Sequence, residues 1–187
     1  ASEVEASIDR WRDLQHARGL DIQFEKRLRR GFPGKVEFRM TAPSITQAGE
    51  RGWSWSAEQL TLSAKPWAFH HILFDFKGQH RGSYVRPSGE HAWAGVAQKW
   101  QGTFELTAGQ ISQVQSLFGG LTLRGLTLRG MTDDPNDNEL QMAGGEVSVM
   151  GLQNSNPKFS VRGRDLILPS SLKAPLGNQI AHFDARG

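Results

Sequence analysis

The sequence predicts a mostly β protein of the α+β type: a long, curved, bulged antiparallel sheet with an N-terminal amphipathic helix and one further short helix. Three observations carry this. Apolar and polar residues alternate over most of the chain, which is the period of a half-buried strand. Helical spacing is confined to two segments, 3–18 and 107–119. In three of the strands the apolar parity switches part-way along.

The first helix is read over residues 3–18. Ser2 with Glu5 makes a capping box, and Gly19 is a natural C′ residue. Val4, Ile8, Trp11 and Leu14 form one apolar stripe. It either packs on the sheet, hugging it through Trp11 and Leu14, or continues a membrane anchor that lies upstream.

After Gly19 the period becomes two. Leu20, Ile22, Phe24 and Leu28 alternate with polar neighbours, as do Val36, Phe38 and Met40. The turn Gly31-Phe32-Pro33-Gly34 joins them into a hairpin, with Ile22, Phe24, Val36 and Phe38 on its buried face.

Strand 53–64 carries Trp53, Trp55 and Ala57, then Leu60, Leu62 and Ala64, so its parity changes near Glu58-Gln59. Segment 121–129 changes at Arg124-Gly125, and segment 159–168 near Gly163. An inserted bulge residue does this, and it adds twist and bend to the sheet. A strand buried on each face in turn gives the same pattern.

Ile72, Phe74 and Phe76 mark another strand, as do Phe104 and Leu106. Thr107 with Gln110 is a second capping box. Ile111, Val114, Leu117 and Phe118 then have helical spacing, closed by Gly119. Ala143-Gly144-Gly145-Glu146 reads as a hairpin turn between Leu140–Met142 and Val147–Val149. The chain stops at Asn178–Phe183 within a strand-like pattern, which predicts an open strand edge near its end.

No composition break divides residues 1–187, so one domain is expected. A fold of this size buries roughly 70% of its unfolded surface, enough for a core without disulfides or metals. There are no cysteines, which removes disulfides, thiolate zinc sites and thiol nucleophiles. The net charge of +3 comes from 22 basic and 19 acidic residues, a mixed surface unlike that of a nucleic-acid binder.

Motifs for chemistry fail one by one. No phosphate loop or nucleophile elbow is present. Asp134–Asn138 begins like a calcium loop, but Glu139 and Gly145 stand where Gly and Glu are needed. His70, His71, His80 and His91 are the one histidine group, and neighbours on a strand face opposite ways. No enzyme, cofactor or metal is therefore expected. The basic group Arg27, Arg29, Arg30 and Lys35 at one hairpin end is either a solvated turn or a contact for anionic head groups or a partner. Trp53, Trp55, Phe74 and Phe76 are either core or a platform for lipid or another apolar ligand.

The order of these features is similar to a known family. Ile8-Asp9-Arg10-Trp11, then Gly31-Phe32-Pro33, then Gly52-Trp53-Ser54-Trp55-Ser56-Ala57, Leu60-Thr61-Leu62-Ser63-Ala64 and Pro66-Trp67 resemble the bacterial domain-of-unknown-function family 2125. The family's turn reads Gly-Phe-Pro-Phe-Arg, and Gly34-Lys35 departs from it here. The resemblance implies an envelope protein in the periplasm, tethered to the inner membrane by an N-terminal segment absent from this chain. It also implies that the chain is the N-terminal part of a longer protein, distantly AsmA-like. Two functions are then expected: a non-catalytic sheet that binds lipid, or a structural subunit that presents a sheet edge or face to an envelope partner or to another copy.

Overall fold

The computed structural model describes residues 9, 12–17, 19–31, 34–108, 110–125, 138–152, 156–170, 172 and 177–187, without the side chains of 26 and 28–30. Eleven strands are present: β1 (Leu20–Gln23), β2 (Lys26–Arg30), β3 (Val36–Thr41), β4 (Ser44–Gln47), β5 (Trp53–Ala64), β6 (His71–Arg86), β7 (Gly89–Thr107), β8 (Gln110–Arg124), β9 (Glu139–Met150), β10 (Lys158–Ile167) and β11 (Gln179–Arg186). Residues 12–17 form one short helix, α1.

All strands join one antiparallel sheet, and from β5 onward each pairs with the next in sequence. β3 and β4 share β5 as partner, one pairing with each half of it. β2 pairs with β3, and β1 pairs with β4. The chain is thus a meander whose first two passes are each broken in the middle. Short connections between antiparallel neighbours need no crossover, so every ladder is local in sequence.

The two faces differ sharply. Phe74 is 4% exposed and its neighbour Leu73 is 46% exposed; Leu166 is 8% and Ile167 is 41%. Registered pairs carry the covered set across the sheet: Phe38 meets Leu62, Leu62 meets Phe74, and Phe76 meets Trp100. Farther on, Leu121 meets Met142, and Met142 meets Leu166. The other face bears Glu37, Asp75, Gln101, Gln115 and Arg162, with surface pairs such as Arg162–Asp184 at 3.4 Å.

No second layer covers the apolar face among the described residues, because each strand touches only its ladder neighbours. A side chain on a flat single sheet is not 4% exposed. Such depth fits a sheet that curls towards its apolar face, so that side chains crowd one another.

The crease that produces this curl runs transversely. The register shifts between Ala57 and Gln59 on β5, and again between Phe76 and Gln79 on β6. Ala42 (φ 47°) separates β3 from β4 at the same level, its N–H donating to the Glu58 carbonyl at 2.9 Å. Gly78 (φ 83°), Gly120 (φ 58°) and Asp165 (φ 52°) continue the line on β6, β8 and β10. The parity switches in 53–64 and 159–168 are therefore irregularities of single strands, at Ala57–Gln59 and Asp165. Each switch keeps the apolar set on the same face. β8 has a switch of its own at Gly119-Gly120, and the one expected at Arg124-Gly125 turns on residues 126–129, which lie outside the described residues.

Four expectations are corrected. The second helix does not exist: residues 110–124 are β8. Ladders on both sides satisfy its backbone, and β-branched Ile111 and Val114 suit a strand. The capping box becomes a tight turn, with Thr107 opposite Gln110 and Ala108 at φ 52°. Gly144-Gly145 is no hairpin turn but the middle of β9. A Cβ on Gly145 would lie 2.8 Å from the Phe118 ring, so the glycine there makes room for an aromatic.

Segment 20–28 is two strands with separate partners, because the break at Ala42-Pro43 divides the strand opposite. Val36 and Phe38 are buried at 5% and 7%, whereas Ile22 and Phe24 are half-buried. Finally, Leu14 is 61% exposed, so α1 does not pack through it. The helix meets the sheet edge by charge instead: Asp9 pairs with Arg27 at 3.5 Å, and Arg12 lies 6.0 Å from the Phe24 ring centre. Trp11 is outside the described residues.

β11 has one neighbour, β10, and its outer side pairs with nothing among the described residues. The expected open edge is there. The same holds for β1 and β2 at the opposite margin.

Glycines set how closely strands approach the aromatic side chains. A Cβ on Gly102 would collide first with the Gln115 backbone carbonyl and sit 2.5 Å from Phe74 Cζ, whereas one on Gly119 meets nothing nearer than 3.9 Å. Gly102→Ala should destabilise by about 1–3 kcal/mol through overpacking. Gly119→Ala should be neutral or stabilising by up to about 1 kcal/mol. Urea unfolding of the two variants checks this contrast, and equal effects would mean that the Phe74–Gly102 contact is not tight.

Candidate functional site

The four aromatic residues singled out by sequence all lie on the apolar face. Trp55 and Phe76 pack edge to face, with ring centres 5.2 Å apart, and Phe76 lies 5.5 Å from Phe74. Phe74 is fully covered, Trp55 and Phe76 are half-buried, and Trp53 is 37% exposed. The Trp53 indole donates to Gln47 Oε1 at 2.5 Å, which fixes the ring against β4.

Three further residues complete the row. Phe104 lies 4.6 Å from Phe74, Trp100 lies 5.5 Å from Phe76, and His80 lies 4.3 Å from Trp100. His80 also approaches Trp55 and Phe76, so three aromatic rings enclose it. Only β7 could bring Trp100 here, and the alternation in 89–103 is too interrupted by Gly95, Gln98 and Lys99 to mark it as a strand. A register through Gly102 would have been the one signal.

His80 is 1% exposed and its Nδ1 has no hydrogen-bond partner. Burial holds its pKa down to about 4, against a smaller opposing pull from Glu58. The ring is therefore neutral at pH 7 and behaves as an aromatic wall with a polar edge. Trp100 Nε1 donates to Ser116 Oγ at 2.7 Å, which satisfies both polar groups within the apolar face. Beyond the crease the face continues as an aliphatic cluster of Leu121, Met142 and Leu166, flanked by Phe118 and Phe183.

Of the basic group, the side chains of Arg27 and Lys35 are among the described ones. Arg27 turns inward, paired with Asp9 and lying 5.7 Å from the Phe24 ring centre. The backbone register opposes Arg29 to Phe38 and Arg30 to Glu37, residues of opposite faces. Lys35 is exposed and donates to Glu37 at 2.7 Å. The break at Phe24-Glu25 reverses the parity that the sequence carried through from Leu20 to Leu28, and so it puts Arg27 on the apolar face.

The histidines are also apart. His71 pairs with Glu105, and His91 stacks on Tyr84 and bonds Ser88 at 2.8 Å. No three metal-type side chains converge among the described residues. The acidic stretch 131–137 lies outside them.

The family model for uncharacterized proteins conserved in bacteria (DUF2125) matches residues 1–176. The chain belongs to that family. No curated protein and no solved structure matches this DUF2125 chain. Its site is therefore read from its own geometry. The matched span includes the whole aromatic row, and β11 lies beyond it.

Two measurements probe the row. His80 is neutral when folded and titrates near its ordinary value of 6.5 when unfolded. Between about pH 6.5 and 4 the unfolded chain takes up a proton that the folded one refuses. Stability is complete above pH 6.5 and should fall by up to about 3 kcal/mol towards pH 4, less whatever water at the open face screens. Melting curves at pH 7 and pH 4.5 should show this loss in the parent chain and a smaller one in His80→Phe. Trp100→Phe keeps the ring contacts but strands the Ser116 hydroxyl, at a cost of about 1–2 kcal/mol in urea unfolding.

Proposed function

We propose that this chain is a non-catalytic binding module that holds lipid or another extended apolar ligand on the concave face of its sheet. One observation carries the reading: the whole apolar face belongs to a single layer, and nothing packs on it among the described residues. Folded domains ordinarily bury such a face against a second layer. Here curvature shelters the side chains from the flanks and leaves the face itself available to an acyl chain. Phe74 and Phe76 form its floor, and Trp53 and Trp55 stand across the crease from them.

The proposed location is the periplasmic side of the inner membrane, as the resemblance to AsmA-like envelope proteins implies. That likeness also favours lipid over other apolar ligands. No described helix is long and apolar enough to cross a membrane.

A second reading rests on the open edges. β11 and the β1–β2 margin each leave one side unpaired among the described residues, as a subunit that joins a partner by strand addition would. Light scattering that shows a concentration-dependent dimer, with no bound lipid, would favour this alternative.

The lipid reading is tested on the 187-residue chain purified without detergent. Mass spectrometry of the native protein should find copurified lipid, and a fluorescent fatty acid should bind and be displaced by that lipid. Trp53→Ala and Trp55→Ala should each weaken the probe by roughly tenfold. Trp53→Ala should leave the melting temperature nearly unchanged, since that ring is partly exposed. A chain that carries no lipid and does not bind the probe would end this reading.

A further inference from the structure

One end of the sheet differs from the other. At the far end the described turns are polar: Ala48-Gly49-Glu50-Arg51 and Pro87-Ser88-Gly89. At the near end the β5–β6 connection is Lys65-Pro66-Trp67-Ala68-Phe69-His70. Trp67 is 72% exposed, the most exposed large apolar side chain among the described residues, and Phe69 is 45% exposed.

The backbone holds these rings outward. The Ala68 N–H donates to the Lys65 carbonyl at 2.9 Å, and the His71 N–H donates to the Ala68 carbonyl at 3.1 Å. Two successive turns result. Pro66 occupies the second position of the first turn, where its fixed φ fits. The Leu106 N–H donates to the His70 carbonyl at 2.7 Å and ties the second turn to β7. Trp67 and Phe69 are thus carried on a braced tip. Hiding them would require breaking those turns.

Cations flank the tip. Lys65 is exposed at its base, and a cleft of about 450 Å³ beneath it is lined by Lys65, Ala68, His70, Glu105 and Lys35, the last paired with Glu37. Lys35 comes from the β2–β3 connection, so two separate loops bring basic side chains to the same place. Leu152, which bonds to Ser112, and Phe159, which pairs with Val149, are 43% and 48% exposed and lie at this same end.

We propose that this end of the sheet docks on an anionic phospholipid bilayer, with Trp67 and Phe69 inserted at the headgroup level and Lys35 and Lys65 against the phosphates. Tryptophan with an apolar neighbour suits the interface, since its ring is amphipathic. Lysines beside the tip add an electrostatic attraction that acts only close to the charged surface. The shape argues for a bilayer over a protein partner: the rings project from a narrow tip and form no flat patch. This docking concerns the rim and is separate from the reading of the concave face.

Flotation of the 187-residue chain with vesicles is the test. Vesicles of phosphatidylglycerol and phosphatidylcholine should carry the chain, and vesicles of phosphatidylcholine alone should carry much less. The binding should weaken in 0.5 M salt. Trp67→Ala/Phe69→Ala should reduce binding at least tenfold, and Lys35→Gln and Lys65→Gln about fivefold each. The melting temperatures should not move, since these side chains are exposed, and melting curves identify any variant that is misfolded. No binding to anionic vesicles, or equal binding by the folded double aromatic variant, would overturn the docking proposal. Fatty-acid binding that persists in a chain unable to float would leave the concave-face reading standing while this one fails. A parent chain that self-associates through Trp67 and Phe69 and ignores vesicles would show that the tip serves a protein contact.

Discussion

A single layer of sheet has to shelter its own apolar face, and the rest of the structure follows from that constraint. Without a second layer, only curvature can bring flanking side chains over Phe74, Leu121 and Leu166. Curvature in a sheet comes from irregular residues, and here they line up from Ala42 through Gly78 and Gly120 to Asp165. A bend confined to one strand would have disrupted its neighbours. A bend shared by all of them folds the sheet like a sheet of paper and keeps each ladder intact on both sides of the crease.

The crease also separates two clusters on the face, and Trp53 lies on the side of the second. On one side lie Phe38, Phe74, Phe76, Trp100 and Phe104, and on the other the aliphatic cluster around Met142. His80 and Trp55 stand where the two meet. Opposed glycines such as Gly102 and Gly145 let large rings lie over the backbone and raise the packing density of a face that has no partner. A histidine held neutral by burial fits this design, because a charge in that position would go unanswered.

A face built in this way and two unpaired margins give the molecule three surfaces with distinct properties. The concave face is apolar and sheltered, the convex face is mixed, with Leu73, Leu117 and Ile167 exposed among its polar residues, and the outer edges are unpaired among the described residues. The aromatic tip at the near end adds a fourth, separate from the apolar floor. The proposed binding of an extended apolar ligand would use the first, assembly with another chain would use the edges, and the proposed membrane contact would use the tip. These functions do not compete for the same residues.

Much of this was legible in the sequence, since alternation is a local property. The antiparallel β class, the bulge at Glu58-Gln59, the irregularity after Gly163 and the shared face of Trp53 and Trp55 could all be read from parity alone. What could not be read was every case in which a neighbour strand decided the outcome. Ile111, Val114 and Phe118 have helical spacing, and only ladders on both sides make them a strand. Gly144-Gly145 looks like a turn until Phe118 is seen to need the space. Arg27 looks solvated until the break at Phe24-Glu25 turns it inward towards Asp9. Trp100 and His80 joined the aromatic row only through register. Periodicity fixes which residues of one strand share a face; cross-strand pairing fixes which faces meet, and that information lies in residues far apart along the chain.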